Sequence, residues 1–167
     1  MDSQELRSLQ APLKKQYSEN PDSALITLKA EGQVGEGISC SVETGKALVE
    51  AGLHPATGGD GSMACSGDML LEALAACAGV TLCSVATAIG VKIEDGKVIA
   101  EGDLDFRGTL GVSKETPVGF REIRLHYELD TDADSEQLAT LMKLTERYCV
   151  VYQTLQNGLD INVTYSS

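Results

Sequence analysis

The sequence predicts an α+β protein with a mainly antiparallel sheet and two buried central helices. Its strand patterns come in pairs that fit hairpins, instead of alternating singly with helices as in parallel α/β proteins. Two long helical patterns accompany these pairs, at Leu70–Gly90 and in residues 132–158. With 167 residues, the chain is long enough for one domain with its own core. We therefore expect a single domain over residues 1–167, with residues 1–20 as an N-terminal helical extension.

Composition and charge limit the possible partners. Hydrophobic residues make up 43% of the chain, as in an ordinary folded protein. Lys and Arg number 13 against 25 Asp and Glu, which gives a net charge of -12. Because such a surface repels phosphate groups, we expect neither nucleic acid nor a membrane as a partner. The first 22 residues are polar and do not resemble a secretory signal, so we expect a cytoplasmic protein.

The beginning of the chain predicts a helix and then a hairpin. Residues 3–17 have an amphipathic helical pattern. Alternating apolar residues then predict strands at 24–32 and 37–45, and the glycines of residues 33–37 predict the turn between them. Cys40 belongs to the apolar set of its strand, so we expect it to point into the core.

A glycine-rich connection leads from this hairpin to a long apolar helix. Residues 46–52 predict a short helical turn, and residues 53–68 predict a loop that lacks the phosphate-binding glycine pattern. Ser66 and Asp68 fit the cap and first turn of the following helix. Leu70–Gly90 is long enough to cross a membrane, but a glutamate and several hydroxyl residues interrupt it. We therefore predict a buried core helix.

The second half of the chain predicts another hairpin, a helical region and a last strand. Apolar residues alternate in two stretches joined by a loop: residues 97–108 and 120–130. Residues 132–158 are helical, in one or two pieces, with Ser135 as the cap and Gly158 as the stop. The final strand, residues 159–165, is expected to bury three alternating residues: Ile161, Val163 and Tyr165.

The five cysteines form no CxxC pair, which argues against a structural disulfide framework. Cys77 lies midway along the apolar helix among small residues, and Cys149 lies in the second helical region. Considered without other knowledge, each is a core cysteine. We also expect Cys83 in the core and Cys65 to be accessible before the helix.

The histidines and cysteines show no metal-binding pattern. No zinc spacing relates the four side chains considered as ligands: His54, His126, Cys65 and Cys83. We expect His54 to be a turn residue and His126 to be solvated on the polar side of its strand. Neither a metal nor a cofactor is expected.

Two stretches, SGDMLLEALAACAGVTLCSVATAIG and TERYCVVYQTLQNGLDINV, together resemble the OsmC/Ohr family of thiol peroxidases. The resemblance covers the chain from about Ser66 to its C-terminus. It implies an OsmC-like fold and an intertwined homodimer. It also implies that an organic hydroperoxide oxidises Cys77 to a sulfenic acid, which Cys149 resolves as a disulfide. An unidentified thiol reductant would then restore the two thiols.

The sequence departs from the family's pattern around these cysteines. The family places an arginine beside the first cysteine, but no arginine lies between Arg7 and Arg107 here. Gly67 stands at the family's glutamate position, and Val150 stands where a proline follows the second cysteine. Without a cation, burial is expected to raise the pKa of Cys77. Four residues are possible supporting groups: Asp68, Arg107, Arg147 and Lys46.

Two functions from different classes remain open. The first is a peroxidase that reduces organic hydroperoxides through a Cys77–Cys149 dithiol cycle. The second is an OsmC-like dimer that is not a peroxidase, and that binds a small apolar molecule or acts as a redox sensor.

Overall fold

The computed structural model describes residues 2–20, 32–34, 39–43 and 48–166. The chain divides into two compact units, which are described separately here. The cysteine unit comprises Met1–Leu6, Ala73–Val98 and Tyr127–Ser167. The sheet unit comprises Arg7–Glu72 and Ile99–His126. The single domain over residues 1–167 stays a prediction.

The N-terminal helix prediction is confirmed, with a slightly longer helix. Helix α1 spans Ser3–Glu19 and includes Pro12. Asp2 begins it, because its carboxylate accepts the N–H groups of Gln4 and Glu5 at 2.8 Å.

The sheet unit contains a four-stranded sheet in chain order. Its strands are β1 (Gly32–Val34), β2 (Ser39–Glu43), β3 (Leu48–Gly52) and β4 (Ala64–Cys65). β1 pairs with β2 and β2 with β3, both antiparallel, while the short β4 runs parallel to β3. The β1–β2 pairing confirms a hairpin in this part of the chain, but Gln33 and Val34 belong to β1 rather than to the predicted turn. The strand pattern in residues 24–31, the tip of the turn and the side chain of Cys40 lie outside the described residues.

Strand β3 corrects the helical turn predicted for residues 46–52. It pairs with the whole of β2, from Glu43 opposite Leu48 to Ser39 opposite Gly52. Alanine, leucine and glutamate favour a helix locally. Pairing with the edge of β2 outweighs that helix propensity, because cross-strand pairs stabilise a strand more than the propensities of its own residues do.

His54 lies in a turn, as predicted. It caps a 3₁₀ turn at Pro55–Thr57, where its Nδ1 accepts the N–H of Ala56 at 3.0 Å. Its ring stacks on Phe106, with 5.0 Å between ring centroids. His126 is exposed on its strand, as expected.

Helix α2 spans Ser66–Ile89, so Ser66 is its first residue rather than the predicted cap, and Asp68 lies in its first turn as predicted. Its buried side chains lie on one face: Leu74, Ala78, Leu82, Val85 and Ala86. On the opposite face, Val80 is 73% exposed. The core position predicted for Cys83 is wrong: it is exposed, because it lies about 100° around the helix from Leu82. Cys65, just before the helix, is half-buried.

Helix α2 is also the one described helix long and apolar enough to cross a membrane, judged by length and composition. One face of it contributes to the core of the cysteine unit, but only 28% of its most apolar window is buried, so the buried core helix predicted from the sequence is not confirmed as a whole. That core consists of Leu82, Val85, Ala86, Val91 and Leu141. Ile93, Tyr127 and Leu129 pack against it.

The second hairpin consists of β5 (Asp95–Asp103) and β6 (Glu122–Asp130). Side chains of β6 alternate between exposed and half-buried along its whole length, as predicted. Phe106, which was predicted in the first strand, lies instead in the short helix α3 (Phe106–Thr109). Asp105 ends the extended backbone by capping α3, since its carboxylate accepts the N–H of Arg107 at 3.2 Å.

The last helical region forms two helices, α4 (Ser135–Tyr148) and α5 (Val150–Asn157), and Gly158 ends the second as predicted. The cap of α4 is Asp134, not Ser135. The Asp134 carboxylate accepts the N–H of Gln137 at 2.8 Å, and the Gln137 side chain accepts the N–H of Asp134 at 3.0 Å. This reciprocal pair is stronger than a single serine cap.

Residues 159–165 do not form the predicted strand within this chain, and no described strand pairs with them. The alternating side chains are exposed rather than buried. Ile161 and Val163 are 85% exposed, and Tyr165 is 97% exposed. The sequence pattern is that of a strand, but a strand needs a neighbouring edge to form.

Candidate functional site: the Cys77–Cys149 pair

The cysteine unit brings Cys77 and Cys149 together. Cys77 lies midway along α2 and is half-buried, whereas Cys149 lies between α4 and α5 and is only 1% exposed. Both are free thiols, and each one shifts the pKa of the other. Two cysteines that are 72 positions apart in the sequence thus share one site.

The backbone at Cys149 explains why a helix begins beside Cys77. Cys149 has an extended conformation (φ -73°, ψ 109°), which ends α4 and starts α5. Its N–H donates to the carbonyl of Thr145 at 2.9 Å, and its carbonyl accepts the N–H of Gln153 at 2.9 Å. The N–H groups of the first turn of α5 precede this first helical bond, so they have no partner inside the helix.

The N–H groups of Val150, Val151 and Tyr152 influence the pKa of the two thiols. Burial by itself raises the pKa of Cys77, but four hydrogen-bond donors outweigh burial and lower the pKa below its ordinary value. In order of effect, they are the N–H of Val151, the thiol of Cys149, the N–H of Val150 and the hydroxyl of Thr81. The raised pKa that the sequence suggested for Cys77 is therefore wrong, because dipoles rather than a cation stabilise its thiolate.

The two thiols differ in acidity. Burial raises the pKa of Cys149, and its proximity to Cys77 raises it further. The N–H groups of Tyr152 and Val151 oppose this shift without reversing it. The first proton lost from the pair therefore comes from Cys77, which leaves a thiolate beside a protonated thiol. A thiolate is the nucleophilic form of cysteine, and a neighbouring thiol can resolve its oxidised product.

Two tyrosines complete the surroundings of the pair. Burial raises the pKa of Tyr127 to about 12, and charge on Cys149 and Glu146 adds to the shift. Burial and Glu146 also raise the pKa of Tyr152. Both phenols therefore stay protonated at neutral pH. The sequence identifies Tyr127 only as a residue of the alternating stretch 120–130, because the position of β6 near the cysteines is a tertiary feature.

Thr145 is a buried polar residue one helical turn before Cys149. Its side chain is 0% exposed, and its hydroxyl has no hydrogen-bond partner among the described residues. A buried hydroxyl without a partner destabilises a protein, so Thr145 is a weak point in the packing of α4.

Three of the four suggested supporting residues, Arg147, Arg107 and Asp68, are not among the groups that lower the pKa of Cys77. Arg147 is exposed on α4, with its guanidinium 5.7 Å from the ring centroid of Tyr148. Arg107 belongs to the sheet unit, where it pairs with Asp105 and lowers the pKa of Asp105 to about 2. Asp68 also belongs to the sheet unit, and Lys46 lies outside the described residues.

Metal binding is another chemistry open to cysteine and histidine side chains. Across residues 2–20, 32–34, 39–43 and 48–166, no three His, Cys, Asp or Glu side chains are grouped closely enough to bind a metal ion.

The family model of the OsmC-like proteins matches residues 59–164, a range that contains both cysteines of the pair. This chain belongs to the OsmC-like family. No protein of curated function matches its sequence.

Solved structures agree with this assignment. An OsmC-like protein from Mycoplasma pneumoniae is 21% identical, with a TM-score of 0.66 over 78% of this chain and 88% of that one. An organic hydroperoxide resistance protein OsmC from Legionella pneumophila is 19% identical, with a TM-score of 0.62 over 80% and 91%. An organic hydroperoxide resistance protein from Elizabethkingia anophelis is 18% identical, with a TM-score of 0.61 over 80% and 91%. The chain therefore has the OsmC-like fold of helices and strands with an antiparallel sheet, as predicted.

Proposed function

We propose that this protein is a cysteine-based peroxidase that reduces organic hydroperoxides through a Cys77–Cys149 dithiol cycle. The observation that carries the proposal is the lowered pKa of Cys77 directly beside the protonated thiol of Cys149. Membership of a family that includes organic hydroperoxide resistance proteins supports the choice of substrate.

The oxidative half of the cycle consists of two substitution steps, the first at oxygen and the second at sulfur. The Cys77 thiolate attacks the terminal oxygen of the hydroperoxide, the O–O bond breaks, and Cys77 becomes a sulfenic acid. The departing alkoxide takes a proton and leaves as the alcohol. Cys149 then attacks the sulfenic sulfur, the S–O bond breaks, and water leaves as the disulfide forms. A thiol reductant supplies two electrons by disulfide exchange and restores both thiols.

The environment of Cys149 suits the resolving role. Its raised pKa keeps it protonated while Cys77 reacts, so that it does not compete as a second nucleophile. Because it is almost fully buried, it is poorly accessible to external thiols.

We also propose that the protein acts as a cytoplasmic homodimer. Within one chain, Val80 on α2 and the alternating residues Ile161, Val163 and Tyr165 are strongly exposed. Apolar surface of this kind is uncommon on a monomer, and a second copy of the chain would cover it and bury the second face of α2.

The assembly can be tested by sedimentation of Val163→Asp and of Thr164→Asp, the neighbouring exposed position. A dimer that uses the apolar side of this segment should dissociate with the first substitution and persist with the second. A monomer in the unsubstituted protein at micromolar concentration would contradict the dimer.

The peroxidase is tested by non-reducing peptide mapping after one equivalent of cumene hydroperoxide. We expect a Cys77–Cys149 disulfide that forms faster than with hydrogen peroxide and is absent in Cys77→Ser. Cys83→Ser is the matched control, because Cys83 is exposed on the same helix and should not affect the reaction. If both thiols stay reduced in the folded protein, the peroxidase proposal fails.

One observation favours the alternative of a small-molecule binding protein. A cavity of about 340 Å³ lies in the sheet unit, large enough for a small organic molecule. Its lining includes four apolar side chains and two polar ones: Leu71, Leu104, Phe106, Phe120, His54 and Cys65. Native mass spectrometry of the purified protein should detect a bound molecule if this is its function, and the same molecule should bind Cys77→Ser equally well.

A further inference from the structure

The cavity of about 340 Å³ in the sheet unit is lined by two aromatic rings whose positions are fixed by close contacts. Phe120 packs directly on the backbone of Gly102, since a Cβ at Gly102 would lie 2.5 Å from the ring. Phe106 stacks with the His54 ring, with 5.0 Å between centroids and 18° between the ring planes. These rings give the cavity an apolar surface against which a flat hydrophobic group can pack.

Gly67 leaves space between the side chains that surround it. Its φ is not positive, so its backbone conformation does not require glycine. A Cβ at Gly67 would lie 3.5 Å from the Sγ of Cys65 and 3.6 Å from both Leu104 Cδ1 and Phe120 Cζ. Alanine would therefore fit without a clash and would favour the helix more than glycine does. A longer side chain would extend among the residues that line the cavity, so the effect of Gly67 is to keep this space open.

The charged side chains that line the cavity are two aspartates, Asp68 and Asp103, and none of the described lining residues is Lys or Arg. Arg124 occupies both carboxylate oxygens of Asp103, at 2.5 and 2.9 Å. Asp68 lies in the first turn of α2, and its carboxylate has no ion pair or hydrogen bond among the described residues. The cavity therefore offers one carboxylate to a cationic group.

We propose that this cavity binds a small molecule that combines a hydrophobic, aromatic body with a protonated amine. The body packs against Phe106 and Phe120, and the ammonium group pairs with Asp68. The net charge of -12 favours a cation over an anion of the same shape. An ammonium group is also attracted to the face of an aromatic ring. This inference extends the small-molecule alternative described above. It is independent of the peroxidase function, because the Cys77–Cys149 pair takes no part in it.

The experiment compares three probes of similar shape and different charge at neutral pH: 2-phenylethylamine, 2-phenylethanol and 3-phenylpropionate. Binding is followed in ¹H–¹⁵N spectra by the shifts of the Gly67 and Gly102 amides, one on each side of the cavity. We expect saturable shifts with the amine, an affinity for the amine about fivefold higher than for the alcohol, and the weakest binding for the carboxylate. Equal affinities for the three probes would overturn the proposal, as would a folded protein whose two amides do not respond.

Two substitutions separate the charge of the cavity from its space. Asp68→Asn should lower the affinity for 2-phenylethylamine about fivefold and leave that for 2-phenylethanol unchanged. Gly67→Leu should abolish binding of both probes by filling the cavity. The control is Gly79→Ala, at a glycine of α2 outside the cavity, where a Cβ would lie 3.7 Å from Val98. It should bind both probes as the unsubstituted protein does.

The response of Asp68→Asn decides the proposal even if Gly67→Leu fails to fold. An unchanged affinity of Asp68→Asn for the amine would overturn the assignment of the ammonium group to Asp68. Cys77→Ser should bind 2-phenylethylamine as tightly as the unsubstituted protein. A protein that binds the amine but forms no disulfide with cumene hydroperoxide would therefore refute only the peroxidase function.

Discussion

Replacing Thr145 by valine is expected to stabilise the protein, although Thr145 is completely buried. Its hydroxyl has no hydrogen-bond partner among the described residues, and its side chain is 0% exposed. Valine has nearly the same shape and nearly the same helix propensity, so packing and α4 itself change little. The main effect is removal of a polar group that lost its hydration on folding.

The magnitude follows from the cost of that lost hydration. Burying a hydroxyl without a partner costs about 1–3 kcal/mol. We expect Thr145→Val to raise the free energy of unfolding by about 1 kcal/mol. This value is at the lower end of that range, because the hydroxyl of a helical threonine can weakly contact a carbonyl of the preceding turn. For a chain of this size, the corresponding rise in Tm is about 3 °C.

The assay is urea unfolding followed by circular dichroism, with a reductant present and at a fixed protein concentration. Thr145→Ser serves as the control, since it keeps the hydroxyl and removes the methyl group. It should lower stability by about 1 kcal/mol. If Thr145→Val destabilises the protein by about 1 kcal/mol or more, the hydroxyl has a partner in solution and the reasoning is refuted.

Three further predictions concern the disulfide, an ion pair and the net charge. Oxidation to the Cys77–Cys149 disulfide should raise Tm reversibly. Closing so long a loop lowers the entropy of the unfolded chain, which stabilises the folded protein by about 4 kcal/mol in the entropic description. Calorimetry of the oxidised and reduced forms checks this, and Cys77→Ser should show no change. Arg107→Gln should raise the pKa of Asp105 from about 2 towards its ordinary value of about 3.9, as read by NMR titration. Because the folded pKa of Asp105 is the lower one, the stabilisation from this pair is present above about pH 4 and lost as the pH falls towards 2. Oxidation of Cys77 by a carboxylate-bearing hydroperoxide should accelerate with added salt, because salt screens the repulsion between the carboxylate and the protein's net charge of -12. The rate with the uncharged cumene hydroperoxide should stay constant.

Much of the fold could be predicted because helix and strand periods are local properties of the sequence. Leu74, Ala78 and Leu82 recur at helical spacing, and they form the buried stripe of α2. The alternation through β6 and the stop at Gly158 were equally readable. The sequence also indicated Cys77 and Cys149 as site residues, because the two stretches that contain them resemble the family pattern. These features follow from backbone geometry and side-chain polarity, which each short segment carries by itself.

Tertiary structure decided the features that depend on a neighbour distant in sequence. Residues 46–52 became a strand because β2 offered them an edge, and residues 159–165 found no such edge within the chain. Cys77 acquired a lowered rather than a raised pKa because α5 begins beside it. The donors at Val150 and Val151 are ordinary backbone groups that every sequence contains. Only the tertiary structure brings them near enough to Cys77 to lower its pKa.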